Sequence, residues 1–186
     1  MPHHHKKGDP SIMRFRFTLI ATAFAVVSAI APAQAQVRIH CDGQTENLNT
    51  YLQIHKVLFM ERDTSRVREF YADNIISHNN DAGGPGSLVP IESMVGMWEA
   101  SKKNNPERVL EDELILCSDD FVTVRTVVKS NFNTPIAGIE PTGQAYEITA
   151  IDIYRFENGK VVERWGNADV AHIYQQLGMK LVAGDK

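Results

Sequence analysis

Between Arg108 and Asp169 the chain passes through four segments rich in Val, Ile, Thr, Phe and Tyr, each bounded by turn residues, and this succession constrains the fold more than any other feature. The segments are Arg108 to Cys117, Phe121 to Phe132, Gln144 to Glu157 and Lys160 to Asp169. Between them lie Ser118-Asp119-Asp120, Asn133 to Gly143, and Asn158-Gly159, the dipeptide best suited to a two-residue hairpin because both residues accept positive φ. Four strands in sequence predict an antiparallel meander.

Upstream the apolar period changes from two to about 3.6. From Thr45 to about Arg62, Leu48, Tyr51, Leu52, His55, Leu58 and Phe59 form one stripe, which predicts an amphipathic helix. Asp63-Thr64-Ser65 supplies N-caps for a second, short helix over Arg66 to Tyr71, Asn74 to His78 reads as a brief strand, and Asn79 to Ser87 as a loop. Pro90 to about Lys103 places Ile91, Met94, Val95 and Trp98 on one face of a third helix, and Val170 to Leu177 forms a last one ending at Gly178. Helices first and a meander afterwards is the α+β pattern, in which the helices cover one sheet face. A chain of 186 residues has room for one good core, so a single domain over residues 36–186, with its ordered part at 45–178, is expected.

The first 35 residues read differently. Arg14 and Arg16 precede an uncharged stretch, Phe17 to Val37, that ends in Pro32 and Ala33-Gln34-Ala35. A basic start, a short apolar region and an A-x-A site are the parts of a secretory signal peptide, residues 13–35, cleaved after Ala35 to leave Gln36 first. Residues 1–12, with His3-His4-His5, read as an upstream extension, and the triple His is not counted as a metal site. The expected compartment is a bacterial periplasm or beyond, with no stable membrane association after cleavage.

Four of the 19 basic and one of the 23 acidic residues precede Val37, which leaves the rest of the chain at net −7. An acidic domain offers no footprint for nucleic acid. Cys41 and Cys117 either form a disulfide, which export permits, or Cys117 stays a buried thiol in the apolar run Leu114-Ile-Leu-Cys117. No cysteine or histidine has zinc-type spacing, and the glycine-rich nucleotide signatures and the G-x-S-x-G elbow are absent.

The stretch Gly138-Ile-Glu-Pro-Thr-Gly143, then Ile151-Asp-Ile-Tyr-Arg-Phe-Glu-Asn-Gly-Lys-Val-Val-Glu-Arg-Trp165, Asp169 and Gln176-Leu-Gly178, resembles the SnoaL-like polyketide cyclases of the nuclear transport factor 2 superfamily. The likeness runs from about Leu48 to Gly178. It implies a cone: a strongly curved antiparallel sheet wrapped around the N-terminal helices, with a pocket between them. It also implies aldol-type ring closure without metal or cofactor, and matches the family's acid/base aspartate to Asp169 and its acid–strand–His segment to Ala72 to His78. Such chemistry needs a base for a proton α to a carbonyl and donors for the enolate oxygen. Where the cyclases place His or Gln before that aspartate, this chain reads Ile153 and Arg155.

Strand alternation puts Trp165, Asn167 and Asp169 on one face of the last strand, the expected pocket face. The expected site is therefore Asp169 as general base and His78 as donor to the oxyanion, with Trp165, Asn167, Arg155, His55, Tyr51 and Trp98 lining the pocket around a small apolar carbonyl or ester ligand. Plainer readings stand beside these: Asp169 as a helix N-cap, His78 as a solvated strand end, His55 as a core histidine, and Asp152 with Arg155 as structural ion-pairing residues. Three functions stay open: an acid/base cyclase, isomerase or lyase, a non-catalytic binding protein for small ligands, and an association module. A homodimer through the sheet is the expected assembly.

Overall fold

The computed structural model describes residues 36–42, 45–79, 84–135 and 139–179. The upstream extension, the signal peptide and its cleavage site lie outside them, as do part of the 79–87 loop and Gly138. Thirteen short segments make up the rest: β1 (Arg38–His40), α1 (Glu46–Ile54), a π-helical turn (His55–Met60), a 3₁₀ turn (Thr64–Arg66), α2 (Val67–Phe70), β2 (Tyr71–Ser77), β3 (Ser87–Pro90), α3 (Ile91–Asn104), β4 (Val109–Ser118), β5 (Phe121–Asn131), β6 (Ala145–Glu157), β7 (Lys160–Ala168) and α4 (Val170–Gln176).

The strands form one sheet of order β1-β4-β5-β6-β7-β2-β3. The predicted meander is its centre: β4 to β7 pair antiparallel, each with the next. At Asn158-Gly159 both φ angles are positive, 51° and 73°, as the hairpin requires. The edges depart from the expected all-antiparallel sheet, since β1 pairs parallel with β4 and β2 parallel with β7. The α+β fold expected from the sequence is the one observed.

Local chemistry sets the helix ends. The Thr45 hydroxyl accepts from the Leu48 N–H at 3.1 Å and starts α1; Asp63 accepts from the Ser65 N–H at 3.1 Å and starts the 3₁₀ turn. The expected first helix is one helical run, but its last part widens: the Glu61 N–H reaches back five residues to the Lys56 carbonyl at 2.9 Å. One sheet face packs on these helices. Val122, Val124, Ile115, Tyr154, Phe156 and Val161 from the strands bury against Leu48, Ile54, Val57 and Leu58 of the first helical run and Ile91 and Met94 of α3. At the other end of the same face, Ile173 of α4 packs on Val128 and Ile148.

Cys41 and Cys117 are joined, tying the chain just after the three-residue β1 to the end of β4 across 76 residues of sequence. Cross-linking so long a loop restricts the unfolded chain strongly. Replacing Cys41 with serine, or reducing the bond, is expected to lower unfolding stability by about 2–5 kcal/mol in urea titration.

Candidate active site

The helix-covered face of the sheet encloses a cavity of ≈170 Å³ lined from five directions: Tyr51, Leu58 and Phe59 from the first helical run, Tyr71 from β2, Trp98, Ser101 and Lys102 from α3, Arg108, Leu110 and Thr126 at β4–β5, and Asp152, Tyr154 and Arg164 from β6–β7. Arg62 and Thr64 stand at the same cavity. Two residues expected in the pocket, Tyr51 and Trp98, are therefore in it.

Pairing decides which residues face inward. Opposed residues share a face, and Tyr154 opposes Val122 and Arg164, while Asp152 opposes Val124 and Gly166. Because Val122 and Val124 are in the core, Asp152, Tyr154 and Arg164 point into the helix-covered side. An Arg164 Nη lies 3.3 Å from Asp152 Oδ1. Burial pushes the Asp152 carboxyl up from the ordinary aspartate value, with Arg164 opposing and Asp112 reinforcing the rise. Burial also pushes the Tyr71 and Tyr154 phenols up, so they are neutral O–H donors at physiological pH.

Behind Tyr51 lies a second polar group. Asp112 accepts from the Tyr51 hydroxyl and from the Thr126 hydroxyl, each at 2.9 Å. His55 Nδ1 approaches the same carboxylate at 2.9 Å, near enough for an ion pair but out of line for a good hydrogen bond. His55 thus supports a cavity-wall tyrosine through Asp112.

The structure separates the other expected residues from this cavity. Trp165 opposes Ile153, and Asn167 opposes Ile151, on the outer face; the phase expected from alternation is inverted. The cause is a β-bulge: Arg155 pairs with Glu163 and Phe156 with Val161, so Val162 is an extra residue. Counting inward positions from the buried Val161 gives 163, 165 and 167, whereas after the bulge they are 164 and 166. Asp169 is the N-cap of α4, accepting from the His172 N–H at 3.0 Å, exposed beside a shallow groove that also holds Asn167.

His78, Trp165 and Arg155 do come together, but on the outer face. His78 stacks on Trp165 with centroids 4.6 Å apart and planes within 2°. His78 Nε2 donates to Glu163 Oε1 at 2.8 Å, and Arg155 Nε donates to Oε2 at 2.7 Å. Burial alone would raise the Glu163 carboxyl; these two hydrogen bonds outweigh it and hold the group below the usual carboxylate range. The partner of Arg155 is therefore Glu163, and that of Asp152 is Arg164 on the opposite face.

Residues 49–177 match the family of SnoaL-like polyketide cyclases. The chain belongs to this family. The SnoaL-like fold is shared with IdmH of Streptomyces antibioticus, assigned as a polyketide cyclase, at 25% identity and TM-score 0.63 over 73% of this chain and 100% of that one. AclR of Streptomyces galilaeus, assigned as a hydroxylase, matches at 24% identity and TM-score 0.60 over 75% of this chain and 89% of its own. A SnoaL-like polyketide cyclase from Agrobacterium tumefaciens matches at 19% identity and TM-score 0.62 over 73% of this chain and all of that one. No curated protein sequence matches the chain. The SnoaL-like family sets the coarse class, a small-molecule cyclase or isomerase.

Gly166 is the residue that lets the inner site close. A Cβ there would meet Asp152 Oδ1 at 2.5 Å and Asn79 Nδ2 at 2.6 Å. Gly166→Ala is expected to displace the Asp152–Arg164 pair and destabilise the fold by about 1–3 kcal/mol, read by urea unfolding.

Proposed function

We propose that this protein catalyses proton transfer at the carbon next to a carbonyl in a small ketone or ester, with Asp152 as the base and Tyr71 and Tyr154 as donors to the enolate oxygen. The observation that carries the reading is Asp152 itself, a carboxylate whose burial raises its proton affinity, in one cavity with two buried neutral phenols. The Asp152 carboxylate takes the α-proton, and the C–H electron pair passes into the enolate. The growing charge on oxygen is met by a phenol O–H. In an isomerisation the proton returns to a different carbon. In a ring closure the enolate carbon bonds to a second carbonyl carbon of the same molecule, and the resulting alkoxide takes the proton from Asp152.

Asp169 and His78, matched to catalytic roles by the family resemblance, lie outside this cavity, so the base is reassigned to Asp152. A non-catalytic binding role keeps one observation in its favour: the Asp152 carboxylate already has Arg164 beside it. Hydrogen–deuterium exchange at the α-carbon of a panel of small ketones and β-keto esters, followed by NMR, separates the two. Asp152→Asn is expected to cut the exchange rate about 10²- to 10⁴-fold, and wild-type protein that binds the panel without exchange sinks the catalytic reading. The pH dependence has a definite sign. Asp152 must be ionised to accept a proton, so the rate rises with pH along a limb displaced above the ordinary aspartate range, and that limb vanishes in Asp152→Asn.

Export is the second part of the reading. The Cys41–Cys117 disulfide supports it, since such bonds persist in oxidising compartments. Among the described residues no helix is long and apolar enough to cross a membrane. Mass spectrometry of the protein recovered from the periplasm or medium is expected to give Gln36 as the first residue, and a retained leader in the membrane fraction contradicts it. Pairing of two copies through the outer face stays the expected assembly, supported by Leu116 and Ile151, 41% and 50% exposed there.

A further inference from the structure

We propose that the cavity selects substrates carrying a carboxylate, held at its mouth by Arg108 and Lys102 while the reacting carbon lies at Asp152; this rests on the cavity being the reacting site. The lining contains four cations, Arg62, Lys102, Arg108 and Arg164, against one acid, Asp152. The concentration is notable in a chain that is net −7 from Val37 onward. Arg164 is occupied by Asp152. Among the described residues the hydrogen bonds of the other three go to neutral acceptors.

Arg62 donates to the carbonyls of Asn105 and Arg108 at 2.8 and 2.9 Å, Lys102 donates to the Arg62 carbonyl at 2.9 Å, and Arg108 Nη1 donates to the Ser101 hydroxyl at 3.2 Å. None of the three forms an ion pair among the described residues. The nearest acids are not in ion-pair contact with them: Glu99 accepts from the Thr64 hydroxyl, Glu107 accepts from the Asn131 N–H and the Asn133 side chain and reaches Arg62 only through its field, and Asp63, which feels the charge of Lys102, accepts from Ser65. Four cations against one carboxylate in the lining leave an excess of positive charge at the cavity, which an anion would neutralise. Burial, then the charge of Arg108, lowers the proton affinity of the Arg62 guanidinium, which reports the same repulsion.

Arg62 is locked by its two carbonyls, whereas Arg108 keeps a buried Nε–H with no hydrogen-bond partner among the described residues. A buried donor of that kind calls for an acceptor. A carboxylate fits better than a phosphate. The mouth lies at the last turn of α3, where Ser101 and Lys102 sit, and the carbonyl end of a helix disfavours a dianion. A planar monoanion matches one edge of a guanidinium.

The test uses matched probes, 3-phenylpropionate against 3-phenylpropionamide and benzoate against benzamide, titrated calorimetrically into the full-length mature protein. Each carboxylate is expected to bind at least about tenfold more tightly than its amide, with the advantage shrinking in 0.5 M salt. Arg108→Gln is expected to bring the carboxylate-to-amide affinity ratio close to one, and Lys102→Gln to reduce it. Equal affinities in wild-type protein, or no binding by any probe at millimolar concentration, overturn the proposal whether or not the variants fold. The two readings fail separately. Deuterium exchange without a carboxylate preference leaves proton transfer standing and removes this proposal; a preference that survives in Asp152→Asn, with no exchange in wild type, does the reverse.

Discussion

The Asp152–Arg164 pair sits where the sheet and helices meet, and the arrangement of the cavity follows from it. Two charges largely taken out of water on facing strands are best kept together, because removing one partner of a buried ion pair costs about 3–5 kcal/mol. Keeping both inside requires Gly166 beside them, since any side chain there would occupy the space of the Asp152 carboxylate. Tyr154 and Tyr71 line the cavity beside the pair. A wholly apolar replacement would pack as well or better, so the pair is poorly explained by stability. A carboxylate held partly against its preferred ionisation is what proton-transfer chemistry uses.

Much of the fold was legible, and the reasons differ by element. Asn158-Gly159 marked its hairpin because few other dipeptides take positive φ twice, and Thr45 and Asp63 marked helix starts because their side chains accept from backbone N–H groups. The edge strands were not legible. Arg38–His40 is too short to show a period and is held to β4 by pairing and by the disulfide beside it, while Ser87–Pro90 ends in a residue that lacks a ladder donor. Those edges depend on long-range contacts that no local pattern announces.

The site was legible in part. Tyr51 and Trp98 lay on helical stripes, and a stripe states its own inward face. On β7 the pocket face was expected to be the one carrying Trp165, Asn167 and Asp169, but the extra residue at Val162 leaves that set on the outer face although Val161 is buried. That single step exchanged Trp165 and Asn167 for Arg164 and Gly166. Asp152 and Arg155 read as ion-pairing residues toward neighbouring strands, and their partners, Arg164 and Glu163, do lie on β7, on opposite faces because residues three apart on a strand face opposite ways. Composition reinforced the error, since a tryptophan is the expected inward residue and an arginine the expected outward one.

The two faces of the sheet now differ in a way that bears on function. On the outer face Glu163 has both oxygens occupied, His78 has a carboxylate and a stacked ring, and Arg155 shares the same acceptor. These contacts hold β6, β7 and the end of β2 together. On the inner face the charges do not close. Among the described residues Arg62, Lys102 and Arg108 donate to neutral acceptors, the buried Arg108 Nε–H has no hydrogen-bond partner, and the lone lining carboxylate holds its proton more tightly than an aspartate in water. Native interiors rarely leave such groups unmatched. The imbalance has the sign of an anion, and it is the reason the proposed chemistry is placed in the helix-covered cavity rather than at the aspartate that the family resemblance first singled out.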